Sequence, residues 1–133
     1  MRWLGIDPGE VRVGIATCDP AERVAVPLEV VPANAAFPAI RAIARREGIG
    51  GIVVGLPLLL QGDEGAAAAA ARVLGERLRS RLDVPVEYED ERLTSVAAER
   101  VTPRGYDSDD LAAALLLQQF LDRRRHFRQP GSA

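Results

Sequence analysis

Acidic residues gather at the ends of the elements that this 133-residue sequence predicts. Asp7 closes the apolar run Trp3-Leu4-Gly5-Ile6, Asp90 and Glu91 follow Val84–Tyr88, and Asp109 and Asp110 open the last helix. Carboxylates brought together repel and shift one another's ionisation. A divalent cation resolves that conflict, and hard oxygen donors suit Mg²⁺ or Mn²⁺. Mg²⁺ takes a few carboxylates together with water and substrate phosphate, so a three-carboxylate site matches phosphodiester chemistry. Two such cations, about 4 Å apart, would activate a water on one side and stabilise the leaving oxygen on the other. The convergence requires the first and fifth strands to approach each other in one sheet.

Each acid also has a local role open to it. Asp7 can cap its own turn through backbone N–H groups. Asp109 and Asp110 can serve the helix dipole, with Asp107 or Ser108 as the cap. Glu91 can pair with Arg92 at the surface. Taken singly, the local roles suffice; taken jointly, at three element ends, a shared site is the better account. At about 100° per residue, Asp109 and Asp110 both lie within reach of the stripe Leu116, Leu117, Phe120 and Leu121, so helical geometry does not choose between them. Strand alternation puts Asp90 and Glu91 on opposite sides without saying which side holds the site.

The elements that must position these groups follow from local pattern. Strand one runs to Asp7, Pro8-Gly9-Glu10 makes a turn, and strand two covers Arg12–Thr17. Val24–Val31 reads as a third strand, with Pro27 marking an edge or a bulge. A helix is predicted over Ala35–Glu47, its inward face Phe37, Ile40, Ile43 and Ala44 and its stop Gly48. The short apolar run Ile52–Leu56 suits a central parallel strand. Leu58, Leu59 and Leu60 are expected to tuck under the domain, the alternative being an apolar lip. A long helix over Ala66–Leu82 carries Leu74, Leu78 and Leu82 inward, and Val84–Tyr88 forms the fifth strand. A short helix capped by Thr94 or Ser95 and a loop from Thr102 to Tyr106 precede the last helix, which runs to Leu121. The order implies a mixed α/β sheet with helices packed on it.

Bulk properties narrow the classes. Hydrophobic residues make up 47% and charged residues 27%, ordinary values for one globular domain. No apolar run reaches the length of a membrane span, and no secretory signal is evident. A single cysteine, Cys18, fits a reducing compartment, so the cytoplasm is the expected location. The net charge is −2, yet all seventeen basic side chains are arginine. Guanidinium groups bind phosphate bidentately, and a basic face around an acidic pocket is compatible with that net charge. His126, the lone histidine, lies in a basic tail and reads as a solvated residue.

Four segments in order carry a resemblance: Gly5-Ile6-Asp7-Pro8-Gly9 with Arg12–Ala16, Val54–Leu58 running to Gly62, Asp90-Glu91-Arg92-Leu93-Thr94, and Asp109 with Ala112-Ala113 and Leu116-Leu117-Gln118. Together they resemble the YqgF (RuvX) family of the RNase H-like superfamily over nearly the whole chain. The resemblance implies an RNase H-like fold, a five-stranded mixed sheet of three antiparallel and then parallel strands flanked by helices. It implies a nuclease domain over residues 1–122 and a basic, flexible tail over 123–133. Asp7, Glu91 and Asp109 are implied as metal-binding catalytic carboxylates at a two-metal Mg²⁺ or Mn²⁺ site, with Asp90 as a companion. Asp109 is preferred to Asp110 for its interval from the paired alanines. Arg12, Arg92 and Arg104 are the expected phosphate contacts, Arg12 and Arg92 from the family's motifs. Leu59, Ser95 and the extra acid Asp110 depart from the family pattern.

The implied substrate is pre-16S ribosomal RNA or branched DNA such as a Holliday junction. Ribosomal RNA processing is the preferred reading, and the two-fold symmetry of a junction would favour a homodimer. Two other classes compete. A sugar-kinase or actin-like phosphotransferase opens on a similar hairpin but needs two lobes. A non-catalytic nucleic-acid adaptor would bind without metal.

Overall fold

The run Gly51–Leu56 is buried along its whole length, as a strand must be when helices cover both faces of a parallel sheet. It is β4 of a computed structural model that describes residues 1–91 and 108–128, with the side chains of the last helix described from 111 to 126. The other elements are β1 (Trp3–Asp7), β2 (Arg12–Cys18), β3 (Ala25–Pro32), a 3₁₀ turn (Ala33–Ala35), α1 (Ala36–Arg46), α2 (Ala66–Leu82), β5 (Val86–Asp90) and α3 (Ser108–Arg128). The five strands form one sheet in the order β3-β2-β1-β4-β5. β1, β2 and β3 pair antiparallel, and β1, β4 and β5 run parallel. Among the described residues no helix is long and apolar enough to cross a membrane.

Alternation sorts the strand residues onto two faces. Leu4, Ile6, Ile52, Val54 and Val86 pack with Ile40, Ile43 and Leu78 of α1 and α2. Trp3 and Val53 pack on the other face with Ala113, Leu117, Phe120 and Leu121 of α3. Burying one leucine such as Leu117 stabilises by about 1.5–3 kcal/mol. Trp3 and Phe120 meet edge to face, with ring centroids 4.7 Å apart. At Gly5 the helix comes very close: an added Cβ would sit 2.8 Å from Leu117 Cβ and 3.2 Å from the Ala113 carbonyl oxygen. That position must be glycine for α3 to lie on β1.

Several segments differ from the sequence pattern. β5 begins two residues later than predicted and reaches Asp90, because its ladder follows β4 from Ile52↔Val86 to Leu56↔Asp90. The register of β3 slips between Ile15 and Ala16, which face Glu29 and Pro27; Leu28 is the extra residue of a bulge beside the proline, at the sheet edge. The inward face of α2 is Ala68, Ala71, Gly75 and Leu78, with Leu74 and Leu82 only partly covered. Small residues let the helix settle closer to the sheet than a leucine stripe allows. Leu58 packs against the core, but Leu59 is 46% and Leu60 95% exposed, against the expectation that all three tuck under. Asp63 accounts for this: its carbonyl accepts the Leu59 N–H, and the Leu59 carbonyl accepts that of Gly62, closing a tight turn with the leucines outside.

The basic stretch expected to form a tail from residue 123 is helical to Arg128. Its arginines have partners: Arg123 pairs with Glu89, Arg124 with Glu22 and Arg125 with Asp122. The short helix predicted after Thr94 or Ser95, the loop to Tyr106, and residues 129–133 lie outside the described residues.

α3 is tied to the β2–β3 turn as well as to the sheet. The Gln118 amide accepts the Ala25 N–H at 2.8 Å and donates to the Arg23 carbonyl at 2.9 Å. Glu22 is buried and accepts from the Met1 ammonium at 2.9 Å and from Arg124 at 3.1 Å. Burial alone would raise its carboxyl, but hydrogen bonds from the amino terminus and Arg124 outweigh that and hold it below the usual value. A depressed carboxylate stabilises the fold above its unfolded pKa and loses that contribution as pH falls through the folded value. The Glu22→Gln variant is therefore expected to lose about 1–3 kcal/mol at pH 7 and to show a shallower loss of stability below about pH 4.3. Urea unfolding at pH 7 and pH 3.5 reads both. Equal pH dependence in the two proteins would remove Glu22 from the acid response.

Candidate active site

The parallel ladder delivers Asp7 and Glu91 to one place. Asp7 is the last residue of β1 and falls, by alternation, on the face that α3 covers. Glu91 follows β5 directly, and its N–H donates to the Leu56 carbonyl at 3.1 Å, which extends the β4–β5 ladder by one step. β4 lies between these strands, and its residue at this level is Gly55. The Glu91 carboxyl group occupies the space that a Cβ at Gly55 would need, in contact through Oε1 and with Cγ and Cδ within 2.6 and 2.7 Å of that position. Glycine at 55 thus lets the side chain of Glu91 cross β4 toward Asp7.

Asp7 is the charged neighbour that acts most strongly on the Glu91 carboxyl group. Glu91 is only 9% exposed, and its carboxyl is pushed far above the usual range. Burial is the main cause, followed by Asp7 and then by the negative charge of Asp90. Burial and the neighbouring negative charges thus favour the protonated form of Glu91 beside Asp7. A divalent cation could take that proton's place, since the donors are hard carboxylate oxygens at the end of a sheet.

The other acids occupy distinct positions. Asp90 is opposite Leu56 in the ladder, one residue out of phase with Glu91, and reaches the pair through its charge. Asp109 and Asp110 stand in the first turn of α3, one turn before Ala113, whose carbonyl lies over Gly5. Gly5 is two residues before Asp7, so the backbone of that turn approaches the same end of the sheet. The side chains of Asp109 and Asp110 lie outside the described residues. Among the described residues no group of three acidic, histidine or cysteine side chains is gathered closely enough for a metal.

Arg12 is exposed at the first position of β2, at the same end of the sheet as Asp7, which pairs with Gly14. Arg92 and Arg104 lie outside the described residues. The strand pattern gave no sign of Gly55 as a site residue, although a glycine interrupting an apolar strand is a recognised mark of close approach. A cleft of about 510 Å³ opens on the opposite face between α1 and α2, lined by Phe37, Leu74 and Arg77 among others; it holds none of these paired carboxyls.

Comparison with known proteins agrees with this fold. The fold is similar to that of T. thermophilus RuvC in complex with a Holliday junction substrate, at a TM-score of 0.65 and 19% identity over 94% of this chain and 96% of that one. It is also similar to the fowlpox virus Holliday junction resolvase, at 0.58 and 13% over 92% and 99%. The class is thus an RNase H-like fold of the RuvC type. The chain belongs to the RuvX family, whose model, described as "Holliday junction resolvase", matches residues 1–123. Curated relatives from Chloroflexus aggregans (43% identical, 92% of this chain and 94% of the relative) and Streptococcus mutans (36%, 92% and 99%) both carry the name "Putative pre-16S rRNA nuclease".

The Gly55→Ala substitution tests the packing that brings the pair together. The added methyl group displaces the Glu91 carboxyl toward solvent, so its ionisation should fall back toward about 4.3. Carbon-13 NMR titration of the glutamate carboxyl groups, in chelator, would read the change. Identical titration of Glu91 in both proteins would contradict the contact.

Proposed function

We propose that the protein is a divalent-cation-dependent nuclease that hydrolyses phosphodiester bonds in structured nucleic acid, acting on the 5′ end of pre-16S ribosomal RNA during ribosome biogenesis. The observation that carries this reading is the Glu91 carboxyl group lying over Gly55, beside Asp7, at the carboxyl end of the parallel strands. Membership of the RuvX family supports the reaction class, and the names of the curated relatives support the RNA substrate. The family's description favours a second reading, resolution of four-way DNA junctions by a homodimer with two matched sites.

In this reading Asp7, Glu91 and Asp109 hold the cations, and Asp90 adds negative charge beside them. Bound Mg²⁺ or Mn²⁺ supplies Lewis-acid activation of a water and charge stabilisation at the leaving oxygen. Glu91 would give up its proton to solvent when a cation binds, so that both carboxylates would be ionised. Gly55 keeps room for the Glu91 side chain, and β1 and β5, paired to either side of β4, hold the two carboxylates against their mutual repulsion. Arg12, with Arg92 and Arg104, neutralises phosphates of the bound strand through charge-assisted hydrogen bonds.

One preparation, given precursor ribosomal RNA and a synthetic four-way DNA junction in Mg²⁺ or Mn²⁺, separates the readings. The RNA should be cut faster than the junction, and Asp7→Asn should lower cleavage by more than about 100-fold while leaving nucleic-acid binding intact. Preferential junction cutting would favour the second reading. Undiminished cleavage by Asp7→Asn would remove that carboxylate from the chemistry. Metal-independent binding with no cleavage of either substrate would point to an adaptor.

A further inference from the structure

α3 and β5 carry separate parts of the acidic site, and a polar cluster around the buried Glu89 joins them. Glu89 lies two residues before Glu91, on the same side of β5 by alternation, and is 3% exposed. Its Oε2 accepts a hydrogen bond of 2.7 Å from the Gln119 amide, and its Oε1 accepts one from the Arg123 guanidinium. Gln119 and Arg123 are four residues apart on α3 and therefore share a face. Elsewhere α3 packs apolar side chains on β1 and β2, and its polar ties, from Gln118 and Arg124, go to the β2–β3 turn and the start of β3, not to β5.

Apolar packing is non-directional and tolerates small slides of a helix over a sheet. A carboxylate held by two donors is directional, because both hydrogen bonds weaken steeply when their geometry changes. Burying that carboxylate is costly even when paired, and well-packed apolar groups often stabilise as much. Stability alone thus gives weak grounds for an acid at position 89, whereas fixing the position of α3 along β5 gives strong ones.

We propose that Glu89, Gln119 and Arg123 form a positioning clamp that sets the distance between Glu91 at the end of β5 and the acidic first turn of α3. This rests on the cation-site reading above. Glu89 holds no cation itself; it acts through Glu91 and through the placement of the helix.

The test compares the parent with an apolar clamp, Glu89→Met with Gln119→Leu and Arg123→Met, using Mn²⁺ alone as the probe. Free Mn²⁺ is counted by electron paramagnetic resonance, and urea unfolding reports stability. The apolar clamp should unfold at or above the parental urea midpoint yet bind Mn²⁺ about 10–100-fold more weakly. Arg123→Lys, which keeps an ion pair, should retain most of the affinity that Arg123→Met loses; this pair decides the matter if the triple variant does not fold. Asp7→Asn is the control for the site. Parental Mn²⁺ affinity in a folded clamp variant, with affinity lost in Asp7→Asn, overturns the clamp alone. Parental affinity in Asp7→Asn overturns the cation site and the clamp with it.

Discussion

Two neighbouring carboxyl groups, one of them nearly buried, are unfavourable when both are ionised. Asp7 and Glu91 meet in this way because their backbone segments leave little alternative. β1 and β5 flank β4 in a parallel ladder, Glu91 is anchored to the Leu56 carbonyl, and Gly55 leaves a gap where any larger residue would collide with the Glu91 side chain. The apolar faces of β1 and β4 supply the stability that lets the chain hold this pair. Such a local conflict inside an otherwise consistent structure is where function is expected.

α3 is the second half of the arrangement. It approaches β1 at Gly5, is tied to the start of β3 by Gln118, to the buried Glu22 by Arg124, and to β5 by Gln119 and Arg123. These contacts run from Ala113 to Arg124, more than half of its length, and reach β1, β3, the β2–β3 turn and β5, so the helix has little freedom to shift. Its acidic first turn is thereby carried toward the end of the sheet where Asp7 and Glu91 meet. A helix held mainly by Leu117, Phe120 and Leu121 would be stable, but its position would be less sharply defined.

Much of this framework was legible in local pattern. The hairpin ending at Asp7, the bounds of α2, the buried central strand and the proline-linked bulge on an edge strand all follow from turn chemistry and periodicity. What was not legible depends on partners distant in sequence. Alternation separated Asp90 from Glu91 without choosing between them and the family resemblance favoured Glu91, but the route by which it reaches Asp7, through the pairing of β5 with β4 and the gap at Gly55, was not legible. Arg123, Arg124 and Arg125 read as a solvated tail because their acidic partners Glu89 and Glu22 are far away in the chain. Leu59 and Leu60 looked like core residues by type, yet a backbone turn closed through Asp63 holds them outward. For Asp109 and Asp110 the helical period keeps both candidates on the inward half, and the family interval favours Asp109.

The central claim is that Asp7 and Glu91 are the two fixed ligands of a divalent-cation site. Crystals soaked in Mn²⁺ and measured at the manganese absorption edge test it most directly. The account predicts an anomalous peak bonded to oxygens of both Asp7 and Glu91. Full Mn²⁺ exposure with no peak between them would contradict it.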